Sequence, residues 1–366
     1  MKEKNATARG EPPGEDAARP ASKAGSSAKM ITFFTLLAIL LVFSGVAGYA
    51  AYDLYLYMHA PLAPQHSEPQ RLVIAPGDNF AAITEKLEEA GLVDERLKFE
   101  VLARWKGYER SLKAGEYRLA PSLTPLELLV TLNKGLVVLY PVTIPEGFNI
   151  RQVASRVEKA GLSDHETFLS AATDPALARE LEIPADTVEG YLFPDTYSFA
   201  RGADAEKIIR TMTTQLRSNF PGEWEKRAEA LGLSIHEVIT LASIIEKETG
   251  VAHERPLIAS VFHNRLAKNM RLQTDPTVIY GIKDFDGNLT RHHLEEMTPY
   301  NTYRIRGLPP GPIANPGLAS IRAALYPAET DYYYFVAKPD RTHQFSATLA
   351  EHNRAVRKYQ LSSGRP

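Results

Sequence analysis

The chain has 366 residues, with 42 Lys and Arg against 44 Asp and Glu and a formal net charge of −2. That length holds two or three domains with real cores, and so even a charge balance argues against nucleic-acid binding by bulk attraction. There are no cysteines, which excludes disulfides and thiolate metal sites and makes an oxidising compartment harmless.

Residues 1–29 are polar, rich in Ala, Gly, Pro, Ser and charge, and carry no apolar period; they read as a disordered tail. From Met30 to Tyr52 no side chain is charged, and a helix of that length crosses a hydrocarbon core. Lys2, Lys4, Arg9, Arg19, Lys23 and Lys29 precede this run, whereas the next Lys or Arg after it is Arg71. The asymmetry leaves the tail in the cytoplasm and puts everything from about Asp53 outside. Tyr52, Tyr55 and Tyr57 suit the outer aromatic belt. A cleaved signal peptide is the rival reading, but the apolar run is too long and its leader too extended. A proline-rich linker, "HAPLAPQHSEPQ" within 53–70, follows the span.

Beyond the linker lies a weak internal repeat. "LVIAPGDNFAAITEKLEEAGL" (72–92) matches "VTIPEGFNIRQVASRVEKAGL" (142–162). Each copy reads as a strand, a glycine turn, an asparagine N-cap (Asn79, Asn149) and an amphipathic helix ended by a glycine (Gly91, Gly161). The first copy continues into a short strand and a helix that starts at Thr124 with Pro125 in its first turn. Compact βααβ units of this kind, here 71–140, resemble LysM domains, which bind cell-wall glycan; a plain spacer or docking module is the alternative.

Residues 141–366 read as one larger mixed domain. Helices are expected at 149–160, 203–219, 234–249, 254–268, 316–325 and 348–360, and the strongest strand is "YYYFVAK" (332–338). Strands and helices do not alternate regularly, so the class is α+β rather than doubly wound α/β.

The stretch "LASIIEKETG" (241–250) holds the best chemical candidates. Ser234 and Glu237 form a capping box that starts its helix, and Gly250 is the expected stop. At about 100° per residue, Ile235, Val238, Ile239, Ala242 and Ile245 form an apolar arc with Glu246 at its middle and Glu248 at its margin, beside Leu241 and Ile244. Residues at i and i+2 do not face each other, so the two acids cannot form a close dyad. A carboxylate at a helix C-terminus also opposes the macrodipole. The margin suits a general acid: hydrocarbon raises its pKa while the cleft edge keeps it reachable. The central position needs a basic partner such as Arg255 or Arg265. A structural role for both acids is the third option.

Other stretches are dense in polar and aromatic residues. "EGYLFPDTY" (189–197) contains Glu189, Tyr191 and Asp195; "RLQTDPTVIYG" (271–281) contains Gln273, Thr274 and Asp275. "YNTYRIRGLPPGPIANPG" (300–317) contains Asn301 and Tyr303, with Asn315 as the expected cap of the next helix; "HQFSATLAEHN" (343–353) carries a second capping box, Thr348 to Glu351. Rings flanked by Asn, Gln and Asp suit carbohydrate, though core filling is the ordinary role of any single tyrosine. His292 and His293 are adjacent, and no HExxH, phosphate loop or GxSxG elbow occurs. Metal, kinase, dehydrogenase and α/β-hydrolase readings fall away, and no cofactor is expected.

In order, "EGYLFPDTY", "ASIIEKET", "VFHNRL", "LQTDPTVIYG", "YNTY", "GLPPGPIANPG" and "TLAEHN" resemble the MltG (YceG-like) endolytic murein transglycosylases. The likeness runs from about Arg71 to Gln360. It implies a lyase that cuts nascent peptidoglycan strands between N-acetylmuramic acid and N-acetylglucosamine and leaves a 1,6-anhydro end. It also implies that the second glutamate of "EKE", Glu248, is the catalytic acid and then base, with Glu246 supporting. Gln273, Thr274, Asp275, Asn301, Glu189, Tyr191, Asp195 and Tyr303 are then candidates for the substrate wall. The expected location is the cell inner membrane, single-pass, with the larger domain in the periplasm. Glycan strands are the expected partners, with peptidoglycan synthases and division proteins as reasonable others. A muramidase-type hydrolase and a non-catalytic wall-binding scaffold are the alternatives.

Overall fold

The computed structural model describes residues 24–63 and 68–361. Residues 1–23 of the expected disordered tail, 64–67 of the expected linker and 362–366 of the expected larger domain lie outside the described residues. The architecture is mixed α+β, divided into two compact units.

The smaller unit holds α1 (Ala24–His59), α2 (Phe80–Glu89), α3 (Arg96–Lys106) and most of α4 (Pro125–Lys134). Within α1, Lys29–His59 has a mean hydropathy of 2.4 and buries none of its apolar window. It is the one helix among the described residues long and apolar enough to cross a membrane. The helix does not end at Tyr52 as the charge pattern suggested. It runs on through Asp53 because its last two turns find partners in the same unit. The Lys98 ammonium lies 2.8 Å from the Asp53 carboxylate, and Tyr57 and Met58 are buried. The other helices bury apolar residues at helical spacing: Ile83 and Leu87, Phe99 and Leu102, Leu128 and Leu132.

The larger unit carries three two-stranded sheets. β1 (Gln70–Ile74) pairs with β2 (Gly115–Leu119), β3 (Tyr140–Thr143) with β4 (Thr196–Phe199), and β5 (Tyr334–Ala337) with β6 (His343–Ser346). The last two pairs are antiparallel, with Tyr140 opposite Phe199 and Tyr334 opposite Ser346. The helices are α5 (Ile150–Lys159), α6 (His165–Ala172), α7 (Pro175–Glu180), α8 (Ala205–Ser218), α9 (Gly222–Ala230) and α10 (Ile235–Glu248). After a 3-10 turn at Ala252–Glu254 come α11 (Arg255–Ala267), α12 (Asp275–Gly281), α13 (Arg291–Glu295), α14 (Leu318–Leu325) and α15 (Leu349–Val356).

The repeat is real at the level of local chemistry. Asn79 Oδ1 accepts from the Ala82 N–H and Asn149 Oδ1 from the Gln152 N–H. Gly91 and Gly161, at φ 64° and 67°, turn the chain out of each helix. That left-handed conformation suits glycine, which has no Cβ to clash.

Three expectations are corrected. Val238 to Ile245 are buried without a break, so α10 is wrapped on every side; it is not an amphipathic stripe with a wet back. Glu248, the last residue of the helix, is half-buried and lines a cavity. Gly250 is not the left-handed stop either: Thr249 swings to φ −146°, ψ 135° and ends the helix, and its Oγ1 accepts from the Val251 N–H. Asn315 caps nothing. The helix after it starts at Leu318 with Gly317 at the N-cap, while the Asn315 side chain accepts from the Leu192 N–H and donates to the Phe148 carbonyl.

Candidate active site

Six segments of the larger unit meet around one cavity of about 410 Å³, within the size range of small-ligand sites. The end of α10 contributes Glu248, α11 contributes Arg265, the segment entering α12 contributes Gln273 and Asp275, and the loop after α13 contributes Tyr303. The β5–β6 hairpin contributes Tyr334 and His343, and α15 contributes His352.

Glu248 is half-buried, and its Oε1 accepts a hydrogen bond from the Thr274 hydroxyl. Burial raises its carboxyl most, the Asp275 charge adds to this, and the Thr274 hydrogen bond, His343 and Arg265 oppose it; the group is pushed up to about 7. It is therefore partly protonated at neutral pH, as a general acid must be.

Thr274 sits where an N-cap of α12 would, yet its hydroxyl makes no cap bond because it is given to Glu248. A small threonine cluster fixes it there. The Thr274 N–H donates to Thr302 Oγ1 (3.0 Å), and Thr277 Oγ1 donates to the Thr274 carbonyl (2.8 Å). Just before it, Gln273 has φ 51°, a conformation that costs a non-glycine residue about 1–2 kcal/mol. The Gln273 N–H donates to the Thr302 carbonyl at 3.2 Å, so the backbone is held in this form while the side chain lines the cavity. Strain of this kind persists where surrounding structure enforces it, often at working sites.

Asp275 accepts a hydrogen bond from the Tyr303 hydroxyl at 2.7 Å. Burial, helped by that carboxylate, pushes the Tyr303 hydroxyl well above its ordinary range. Arg265 spans the floor: Nε donates to the Tyr333 carbonyl (2.7 Å) and one Nη to the Leu272 carbonyl (2.5 Å). A guanidinium there joins β5 to the Leu272–Gln273 segment. His352 stacks on Tyr334 with centroids 5.2 Å apart.

The structure thus brings Glu248, Gln273, Thr274, Asp275 and Tyr303 together. The remaining candidates stand elsewhere. Glu246 points to α14, where Oε2 accepts from the Gly317 N–H (3.1 Å) and Ser320 Oγ (2.7 Å), and Oε1 lies 3.5 Å from Arg255. Glu189 is buried under the start of α5, accepting from the Ile150 N–H (3.1 Å) and the Tyr280 hydroxyl (3.2 Å); burial pushes it up to about 7. Tyr191 bonds His236 at 2.9 Å. Asp195 accepts from Gln215 and from the Thr196 N–H. Asn301 is fully buried and donates to the carbonyls of His293, Leu294 and Glu296. None of these five lines the cavity. Sequence reasoning did not single out His343, His352 or Tyr334, although all lie in or beside stretches it flagged, and it offered Arg265 only as a partner for Glu246. A capping-box pattern masked the two histidines.

The YceG-like family model matches residues 72–358. The chain is 34% identical over 327 residues to a protein of Bacillus subtilis named endolytic murein transglycosylase, covering 83% of this chain and 89% of that one. It is 32% identical over 340 residues to the Streptococcus pneumoniae protein of the same name, covering 84% of this chain and 60% of that longer one. A crystal structure of a YceG-like protein from Listeria monocytogenes matches with a TM-score of 0.55 at 35% identity, over 79% of this chain and 99% of that one.

Proposed function

We propose that this chain, which belongs to the YceG-like family, is a membrane-anchored endolytic lytic transglycosylase of peptidoglycan. The observation that carries the reading is Glu248: one carboxyl with a pKa of about 7, in a cavity walled by aromatic rings and hydroxyl-binding groups. The relatives' names supply the substrate class and the reaction.

Glu248 in its protonated form donates to the glycosidic oxygen between N-acetylmuramic acid and N-acetylglucosamine. Positive charge develops at the anomeric carbon, and the sugar's own C6 hydroxyl closes on it. Ordinary glycosidases need a second carboxylate as nucleophile or as the base that activates water. Here the nucleophile is already tethered, and proximity supplies much of what a positioned water would otherwise need. In the simplest form of the reaction, the Glu248 carboxylate left behind then takes the O6 proton. Gln273, Asp275 and Tyr303 orient sugar hydroxyls or the acetamido group, while Thr274 holds the acid. The α1 helix anchors the chain in the membrane, and the LysM-like reading of 71–140 adds a second grip on glycan.

Mass spectrometry of digested strands tests the chemistry. Anhydro ends, one water lighter than reducing ends, are expected with the purified wild-type chain and absent with Glu248→Gln. Reducing ends alone make it a hydrolase. Cellular function untouched by Glu248→Gln makes it a scaffold.

A further inference from the structure

The same cavity holds a second group able to take up a proton. His343, almost buried, opens β6, and the Glu254 carboxylate accepts two of its N–H groups, from the backbone nitrogen at 2.8 Å and from Nδ1 at 2.7 Å. Glu254 is 3% exposed. Burial pushes its carboxyl up, but the His343 hydrogen bonds outweigh this and help hold it below the usual range. An ionised carboxylate only accepts, so the ring keeps a proton on Nδ1 and Nε2 is the nitrogen left over. No protein group among the described residues engages Nε2. The ring stands edge-on to Phe335 at 5.4 Å. Thr249, the residue after Glu248, reaches Glu254 through its hydroxyl at 3.5 Å, so the pair is tied to the end of the helix that carries the acid.

Glu248 working alone must give its proton before it can take one. Thr274 donates to Oε1, and until the Glu248 proton has left, that carboxyl is a poor acceptor for the O6 proton, so a separate base lets the two transfers proceed together. We propose that His343 is a second catalytic residue, taking the O6 proton on Nε2 while Glu248 protonates the glycosidic oxygen, and that Glu254 is the positioning residue that fixes the ring. This rests on the function proposed above for Glu248 as acid. The O6–C1 bond forms and the bond from C1 to the leaving oxygen breaks. The Glu248 proton ends on the freed hydroxyl and the O6 proton on the imidazole. Transfer of that proton back to Glu248 through cavity water resets the site. The division of labour is that of a carboxylate–histidine pair with the histidine as base.

The test is steady-state cleavage of glycan strands across pH by the full chain. His343→Gln should lower kcat by about a hundredfold or more, the usual scale for losing a general base, with KM within a few-fold. It should also lose the acidic limb of the pH–rate profile and keep the alkaline limb set by Glu248. Glu254, bonded to the imidazole, and the charged and titratable groups that line the cavity with it (Glu248, Arg265, Asp275, Tyr303, Tyr334 and His352) remain in that variant. His343→Ala should regain rate when imidazole is added, which a merely structural histidine would not allow. Wild-type kcat with both limbs intact in His343→Gln, or a folded His343→Ala indifferent to imidazole, overturns the proposal and returns both transfers to Glu248. If Glu248→Gln still cleaves in the same assay, the reading of Glu248 itself fails.

Discussion

A carboxylic acid that titrates near 7 can give a proton away only below that value. For Glu248, cleavage should therefore fall as pH rises through about 7, by about tenfold per unit beyond it, since only the protonated fraction is competent. A pH–rate profile checks this. The same shift bears on stability. The folded value lies above the ordinary value of 4.5. Between about 4.5 and 7 the folded chain thus holds a proton that the unfolded chain has released, and stability falls as pH rises through that window, levelling off above it. Glu189 adds a second fall over the same range. Glu248→Gln removes one of the two, so at pH 8 it should melt higher than wild type by a few degrees (roughly 2–4 °C per kcal/mol) and at pH 4 about the same. Calorimetry at both values decides. A variant that is dead and more stable is the mark of a residue kept for work at a cost to the fold.

Glu246 sits two residues away and should behave in the opposite way. It clamps α10 to the start of α14 and neutralises Arg255, whose guanidinium is 11% exposed. Glu246→Ala leaves that cation buried without its nearest partner, at a cost of about 3–5 kcal/mol, and should lower Tm at every pH. Gly190→Ala should also be costly. At φ 85° an added Cβ would lie 2.4 Å from Pro312, so strain and overlap together cost about 3 kcal/mol; a denaturant midpoint measures it. These contrasts show what was legible in the sequence. Capping boxes at Ser234 and Thr348 and the asparagine caps of the repeat were readable because a cap is a contact between residues three apart. The ends that failed, Gly250 and Asn315, failed because tertiary partners took over. Asn315 is claimed by residues more than a hundred positions away. The unbroken burial of α10 was hidden because Thr240 and Ser243 look polar, yet each bonds a carbonyl of its own helix. In the site, Glu248 and the Gln273–Asp275 segment could be found from local pattern. His343 could not, because its meaning lies in Glu254, 89 positions distant.

At the scale of the whole molecule, the proposed role of α1 as a membrane anchor can be tested by fractionation. Full-length protein should remain with membranes through an alkaline carbonate wash, and a chain begun at residue 68 should appear in the soluble fraction; immunoblotting of the two fractions checks it. The helix also does something the apolar run did not announce: it emerges past Tyr52 and seats its last turns against α3 through Lys98, Tyr57 and Met58. A tether with a loose joint lets its cargo swing through a thick shell of polymer, whereas a stiff post fixes its height. On the proposal that α1 is a membrane anchor, the contacts that seat its last turns on α3 make it a stiff post for the small unit rather than a loose tether.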